Sequence, residues 1–196
     1  MTQRRPRRTT ADVERAILEA ARDELRERGY AGVTFEGVAR RAATSKPVIY
    51  RRYSSRATLV FTALRTHFED ASPTPNTGTL RGDLIAWLKA AQDRASEVGE
   101  DTYRATMGEA DAELLDAVNA LVHAETENLE QKIIAPARAR GELGPVPLTL
   151  EVLAVPSVLL RDRVFFGRTT GDDAAEIVDE VCLPLFRARS GMNSQP

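Results

Sequence analysis

Between residues 11 and 28 the apolar side chains Val13, Ile17, Ala21 and Leu25 recur four apart, and charged residues fill most of the positions between them. That spacing predicts a helix with one buried face. Thr10 is the expected N-cap, Asp12 and Glu14 suit the positive end of the helix dipole, Arg26 and Arg28 suit the negative end, and Gly29 suits a left-handed C′ position. After Gly32, Thr34 is placed to cap a short second helix whose inward face is Phe35, Val38, Ala39 and Ala42. A turn at Ala43 and Thr44 leads to Ser45 as the next cap, and Pro47 falls in a first turn, where its missing N–H leaves nothing unsatisfied. The third helix is expected over residues 46–53, with Ile49 and Tyr53 one turn apart on the core side. A fourth begins after Ser54 and Ser55 and carries Leu59, Val60, Ala63, Leu64 and Phe68 as its stripe. Two short helices joined by a tight turn between longer ones make a helix-turn-helix.

The segment ASPTPNTGT, residues 71–79, reads as a linker. Beyond it, helical patterns cover about 80–97, 101–110, 112–140, 149–166 and 172–189, and no stretch alternates long enough to argue for a sheet. Pro156 is expected to bend one of these helices, and Pro184 to bend or end another. The predicted class is therefore all-α. It comprises an arm over 1–9, a helix-turn-helix domain over 10–68 and a larger helical domain over 80–189. Residues 148–166 and 177–186 are apolar around most of their circumference, which favours burial against a second copy of the chain.

Net charge is -2, but its distribution matters more than its total. Residues 1–68 hold 15 Lys and Arg against 7 Asp and Glu, whereas residues 69–196 hold 12 against 22. A basic segment joined to an acidic one suits a chain that meets a polyanion with one part only. The concentration is sharpest in TSKPVIYRRYSSR, residues 44–56, where Lys46, Arg51, Arg52 and Arg56 accompany Tyr50 and Tyr53 without an acid.

A helix-turn-helix sets the start of its second helix in the major groove, which brings Lys46, Pro47, Val48, Tyr50 and Arg51 to base edges. Arg51 can pair with guanine through two hydrogen bonds, while Lys46, Tyr50 and Arg52 can also hold phosphates. Thr34, Ser45 and Ser55 mark helix starts that offer free N–H groups to phosphate oxygens, and Arg56 adds charge beside the last of these. The tail RRPRR has the composition of an arm that follows the DNA backbone or enters a minor groove.

The stretch GVTFEGVARRAATSKPVIYRRYSSRATLV resembles the DNA-binding segment of TetR-type bacterial transcriptional regulators, over about residues 10–68. Ala43 stands where that family often has a turn glycine, Arg52 where it often has tyrosine, Ser54 where it often has proline, and Arg56 where it usually has lysine. The resemblance implies a dimer on double-stranded DNA, most often as a repressor on a pseudo-palindromic operator, released by a small-molecule effector bound in the second domain. Trp87, Tyr103, Met107, Leu115, Val118, Val122 and Phe165 are the expected lining of an effector cavity.

Other chemistry finds little support in the sequence. His67 and His123 lie on different segments, and no phosphate loop or nucleophile motif occurs, so an enzyme is not expected and neither is a cofactor. Asn119, His123 and Glu127 share a helical face, but a solvated polar stripe accounts for them better than a metal site. Glu109, Asp111, Glu113, Glu125, Glu127 and Glu130 read as helix surface. The lone Cys182 between Val181 and Leu183 is expected to be buried. With no apolar run of membrane-spanning length and no h-region behind the basic N-terminus, the chain is expected in the cytoplasm. The rival reading is a helical protein-interaction module, which would show no salt-dependent affinity for duplex DNA.

Overall fold

The computed structural model describes residues 9–69 and 74–192, and every regular element among them is helical. Residues 1–8 of the proposed basic arm lie outside the described residues. The chain divides into two compact units. Among the described residues, one takes those up to 69 together with 104–115, and the other takes 74–103 and 116–192.

The first unit is built on α1 (Thr10–Gly32), α2 (Phe35–Arg41), α3 (Lys46–Tyr50) and α4 (Arg56–Glu69). The N-cap of α1 is Thr9 and not Thr10: its hydroxyl accepts from the Asp12 N–H at 3.1 Å, and the Asp12 carboxylate accepts from the Thr9 N–H. Only Thr9 puts an acid three residues on to close that reciprocal box, which is worth about 1 kcal/mol. Gly29 takes φ 66°, so the regular helix stops there as expected and a further turn carries the chain to Val33. The core gathers Ile17, Leu18 and Ala21 of α1, Val38 and Ala39 of α2, Ile49 of α3, and Leu59, Val60 and Ala63 of α4. Ala105 packs against the same cluster, which is why residues 104–115 belong here rather than with the second domain.

α3 is shorter than the sequence predicts. After Tyr50 the Arg52 N–H turns back to the Ile49 carbonyl at 2.8 Å, and Tyr53 still reaches the core from this tightened turn. Ala43, in the turn before α3, has φ 51° and is the only non-glycine residue with positive φ among those described. Its N–H bonds the Arg40 carbonyl and the Thr44 N–H bonds the Ala39 carbonyl, the paired closure of a left-handed helix end.

The second unit holds α5 (Leu80–Val98) and part of α6 (Glu100–Gly108). It also holds most of α7 (Ala112–Leu129). α8 (Ala135–Ala139), α9 (Leu150–Phe165), α10 (Asp173–Ile177) and α11 (Leu183–Arg189) complete it. Its core runs from Leu80, Leu84 and Leu88 through Leu129, Ile133 and Ile134 to Leu160, Ile177, Cys182 and Phe186. Two prolines are accommodated without ending a helix: π-helical turns at Glu130–Ile134 and Val178–Cys182 precede Pro136 and Pro184. A proline ring clashes with the carbonyl four residues back, and a wider turn there relieves the clash. Pro156 lies inside α9, which continues past it. Buried Asp173 accepts from Gln92 at 2.8 Å, from Arg163 at 2.7 Å and from the Thr170 and Gly171 N–H groups.

Candidate nucleic-acid interface

The face suggested by residues 44–56 is assembled by α2, α3 and the start of α4. Thr34 caps α2, its hydroxyl accepting from the Gly37 N–H at 3.0 Å. Ser45 precedes α3 without making a side-chain cap bond, which leaves its hydroxyl exposed. Lys46 and Pro47 are exposed as well, and Val48 is half-buried. Tyr50 is 62% exposed, its ring meeting Phe35 edge-on at 4.7 Å between centroids, so it stands out from the surface with its base held.

The cations divide by what they touch. Arg51 is exposed and its guanidinium makes no hydrogen bond or ion pair among the described residues, and the same holds for the guanidinium of Arg40 at the end of α2. Lys46 pairs with Glu36 at 2.7 Å, a contact that holds the Glu36 carboxyl below its ordinary range. Arg52 is half-buried and donates to the Val48 carbonyl at 3.2 Å. Arg41 is committed to α1 through Glu24, at 3.0 Å, and Glu27. Arg40 is the cation that sequence reasoning missed; the signal was its place beside Arg41, the only other cation of a short helix.

At the start of α4 the expectation and the structure part. Ser55 is the cap foreseen, accepting from the Thr58 N–H at 3.1 Å. Arg56, expected to hold a phosphate, is instead bound on three sides: by the Glu109 carboxylate, by the Ala31 carbonyl at 3.3 Å, and by the Tyr30 ring, whose centroid is 4.5 Å from the guanidinium carbon. The Tyr30 hydroxyl donates to Glu109 at 2.9 Å. Burial, then this bond to a carboxylate, pushes the phenol up to about 12. Beside it Ser54 donates to Asp111 at 2.8 Å, and Thr58 to the other Asp111 oxygen at 3.3 Å. Glu109 and Asp111, read from sequence as helix surface, are therefore partners of the candidate face.

In the second unit the expected effector residues are not all alike. Trp87 and Tyr103 are partly buried against its core, and Tyr103 meets Phe165 edge-on at 6.3 Å. Val118 and Val122 are half-buried on α7. Met107 and Leu115 fall within the first unit instead, and Leu115 is 53% exposed. Glu125, also read as surface, is turned inward: burial raises its carboxyl above the ordinary range, opposed by Arg161, Arg94 and a bond from Ser157. Asn119, His123 and Glu127 are exposed.

A second surface lies on α9 and the π-helical turn that follows α10. Leu150, Val158 at 47% exposure and Val181 are uncovered. Leu159, Ile177 and Val181 also line a groove of about 340 Å³ with Arg163 and Glu176. Val178, in contrast, is wholly inside the unit. No helix among the described residues is long and apolar enough to cross a membrane.

Two family models match the chain. Residues 17–63 match the family model described as bacterial regulatory proteins, tetR family, and residues 74–181 match the one described as the tetracyclin repressor-like C-terminal domain. An HTH-type transcriptional regulator of Mycobacterium tuberculosis is 32% identical over 173 residues, spanning 85% of this chain and 84% of that protein. A protein of Mycobacteroides abscessus named as the DNA-binding transcriptional repressor TetR is 33% identical over 190 residues, spanning 88% and 93%. Among solved structures, the TetR family transcription regulator SCO0332 shares the fold at a TM-score of 0.68 and 24% identity, covering 89% of this chain and 94% of its own. The transcriptional regulator FadR of Bacillus subtilis, solved with stearoyl-CoA, shares it at 0.58 and 14%, covering 89% and 97%. The chain belongs to the TetR family of DNA-binding transcriptional regulators.

Proposed function

We propose that this regulator is a repressor that binds a pseudo-palindromic operator as a homodimer and is released by a small-molecule effector. The observation that carries the reading is the pair Tyr50, the last residue of α3, and Arg51, its C-cap. They form an exposed aromatic and a cation without a partner among the described residues, flanked by the exposed Ser45 and Lys46. Arg51 reads a base edge, Tyr50, Pro47 and Val48 fit the groove, and Thr34, Ser45, Lys46, Arg52 and Ser55 hold phosphates. Arg40 adds a further backbone contact. Leu150, Val158 and Val181 are the surface through which two chains join, and a twofold dimer presents two α3 helices to a site of inverted symmetry. The M. abscessus relative's name supports repression over activation.

The effector enters the second unit, where Trp87, Tyr103, Val118, Val122 and Phe165 supply apolar contact. The inward Glu125, with Arg94 and Arg161 acting on it, supplies polar contact that the sequence did not reveal. Selection of bound fragments from random duplex DNA tests the core of the proposal. Enriched sequences with inverted symmetry are expected, and enrichment without it, or none at all, refutes it.

A further inference from the structure

The start of α4 is occupied by the protein's own acids. Arg56 directs its guanidinium donors to Glu109 and to the Ala31 carbonyl, Tyr30 stacks on one guanidinium face and donates to Glu109, and Ser54 and Thr58 both donate to Asp111. Asp111 is fixed from its other side as well, accepting from the Leu114 N–H at 2.9 Å at the head of α7. Two carboxylates thus sit where a helix start, two serines and an arginine would otherwise meet phosphate oxygens. We propose that residues 109–111 form an acidic clasp that competes with DNA phosphate for Arg56 and the α4 start, so that operator binding must first displace Glu109. The inference rests on the assignment of this face to DNA.

Three features favour competition over a merely structural contact. Glu109 is nearly half exposed, so its carboxylate can leave into water without unpacking the core. Its hydrogen bond from Arg56, with that of Tyr30, holds its carboxyl below the ordinary range despite some burial, so the clasp is charged and closed throughout the neutral range and is opened by an incoming anion rather than by pH. Arg56 presents a fork of N–H donors that suits carboxylate and phosphate oxygens alike, so one acceptor can replace the other without change of role.

The test compares Glu109→Gln, Arg56→Ala, the double variant and the control Glu113→Gln on specific and random duplexes at fixed salt. Glu113 is an exposed acid nearby with the same charge but no part in the clasp. Glu109→Gln is expected to tighten binding to both duplexes by about 2–5-fold per half-site, the range of a partly exposed ion pair. Glu113→Gln should have less effect, and the gain from Glu109→Gln should vanish when Arg56 is already alanine. Tyr30→Phe, which keeps the ring but loses the bond to Glu109, should give a smaller gain of the same sign and guards against a poorly folded Glu109→Gln. Equal gains from Glu109→Gln and Glu113→Gln, a gain that persists without Arg56, or weaker binding by Glu109→Gln would each overturn the clasp while leaving DNA binding intact. Absence of salt-dependent duplex binding by the unsubstituted chain and by Glu109→Gln would overturn both.

Discussion

Replacing Ala43 with glycine should stabilise the protein. Ala43 ends α2 in the left-handed conformation, with the Ala43 N–H on Arg40 and the Thr44 N–H on Ala39. Three other helices close with the same pair of bonds, at Gly141, Gly167 and Gly191, and each has glycine where α2 has alanine. A side chain in the left-handed region costs about 1–2 kcal/mol. Glycine returns about 0.4–1 kcal/mol of that by loosening the unfolded chain. Ala43 is exposed, so its methyl contributes little packing, and the net gain should be about 0.5–1 kcal/mol. For a chain of 196 residues that is a rise of about 1–4 °C in Tm. Urea unfolding at fixed protein concentration should move the midpoint upward at unchanged slope. Gly141→Ala supplies the mirror image: an added Cβ there meets nothing within 4 Å, so its expected loss of similar size is backbone strain alone. If Gly141→Ala destabilises while Ala43→Gly does nothing or harms, the turn before α3 is not left-handed in solution and the reasoning fails.

Three further outcomes are expected. Val158→Asp or Val181→Asp should shift the sedimenting mass from two chains toward one without unfolding, whereas Val178→Asp, aimed into the core, should cost the fold itself. Arg51→Ala should weaken binding to the preferred duplex by about 1–3 kcal/mol per half-site and change binding to random DNA little, as measured by titration at several salt concentrations. Burial opposes ionisation of Asp173, yet Arg163 and the Thr170 and Gly171 amides outweigh it and leave its carboxyl below the ordinary range. Its stabilisation is therefore complete above the unfolded carboxyl's range and lost as pH falls through the lower folded value. Asp173→Asn should cost about 2–3 kcal/mol at neutral pH and flatten the acid limb of a stability profile.

Much of the first unit was legible because its signals are local. Gly29, Thr34, Ser55 and the inward set Ile17, Val38, Ile49 and Leu59 each follow from spacing or cap chemistry within a few residues. The departures arise where neighbours in space are distant in sequence. Nothing near Arg56 announces Glu109, because the bond depends on how residues 104–115 pack beside α1 and α4. The same holds for Glu125, whose inward side is set by Arg94, Ser157 and Arg161 on other helices. Periodicity distinguished apolar segments but not their two coverings, which is why it grouped buried Val178 with exposed Val158. The shortened α3 reflects a tighter hydrogen-bond pattern after Tyr50 that side-chain spacing does not encode.

The membership of residues 104–115 in the first unit also bears on how the protein is made and rearranged. Synthesis delivers α1 to α4 early, but Ala105, Glu109 and Asp111 emerge only after α5 has been translated. The DNA-reading unit is therefore left incomplete on the ribosome until part of its neighbour exists, although N-terminal units are usually the first to fold during translation. A chimera joined before α5 would inherit another protein's version of this segment, with no guarantee of an acid opposite Arg56. Exchanging second units between such regulators thus calls for carrying 104–115 with the first unit, in two pieces rather than one.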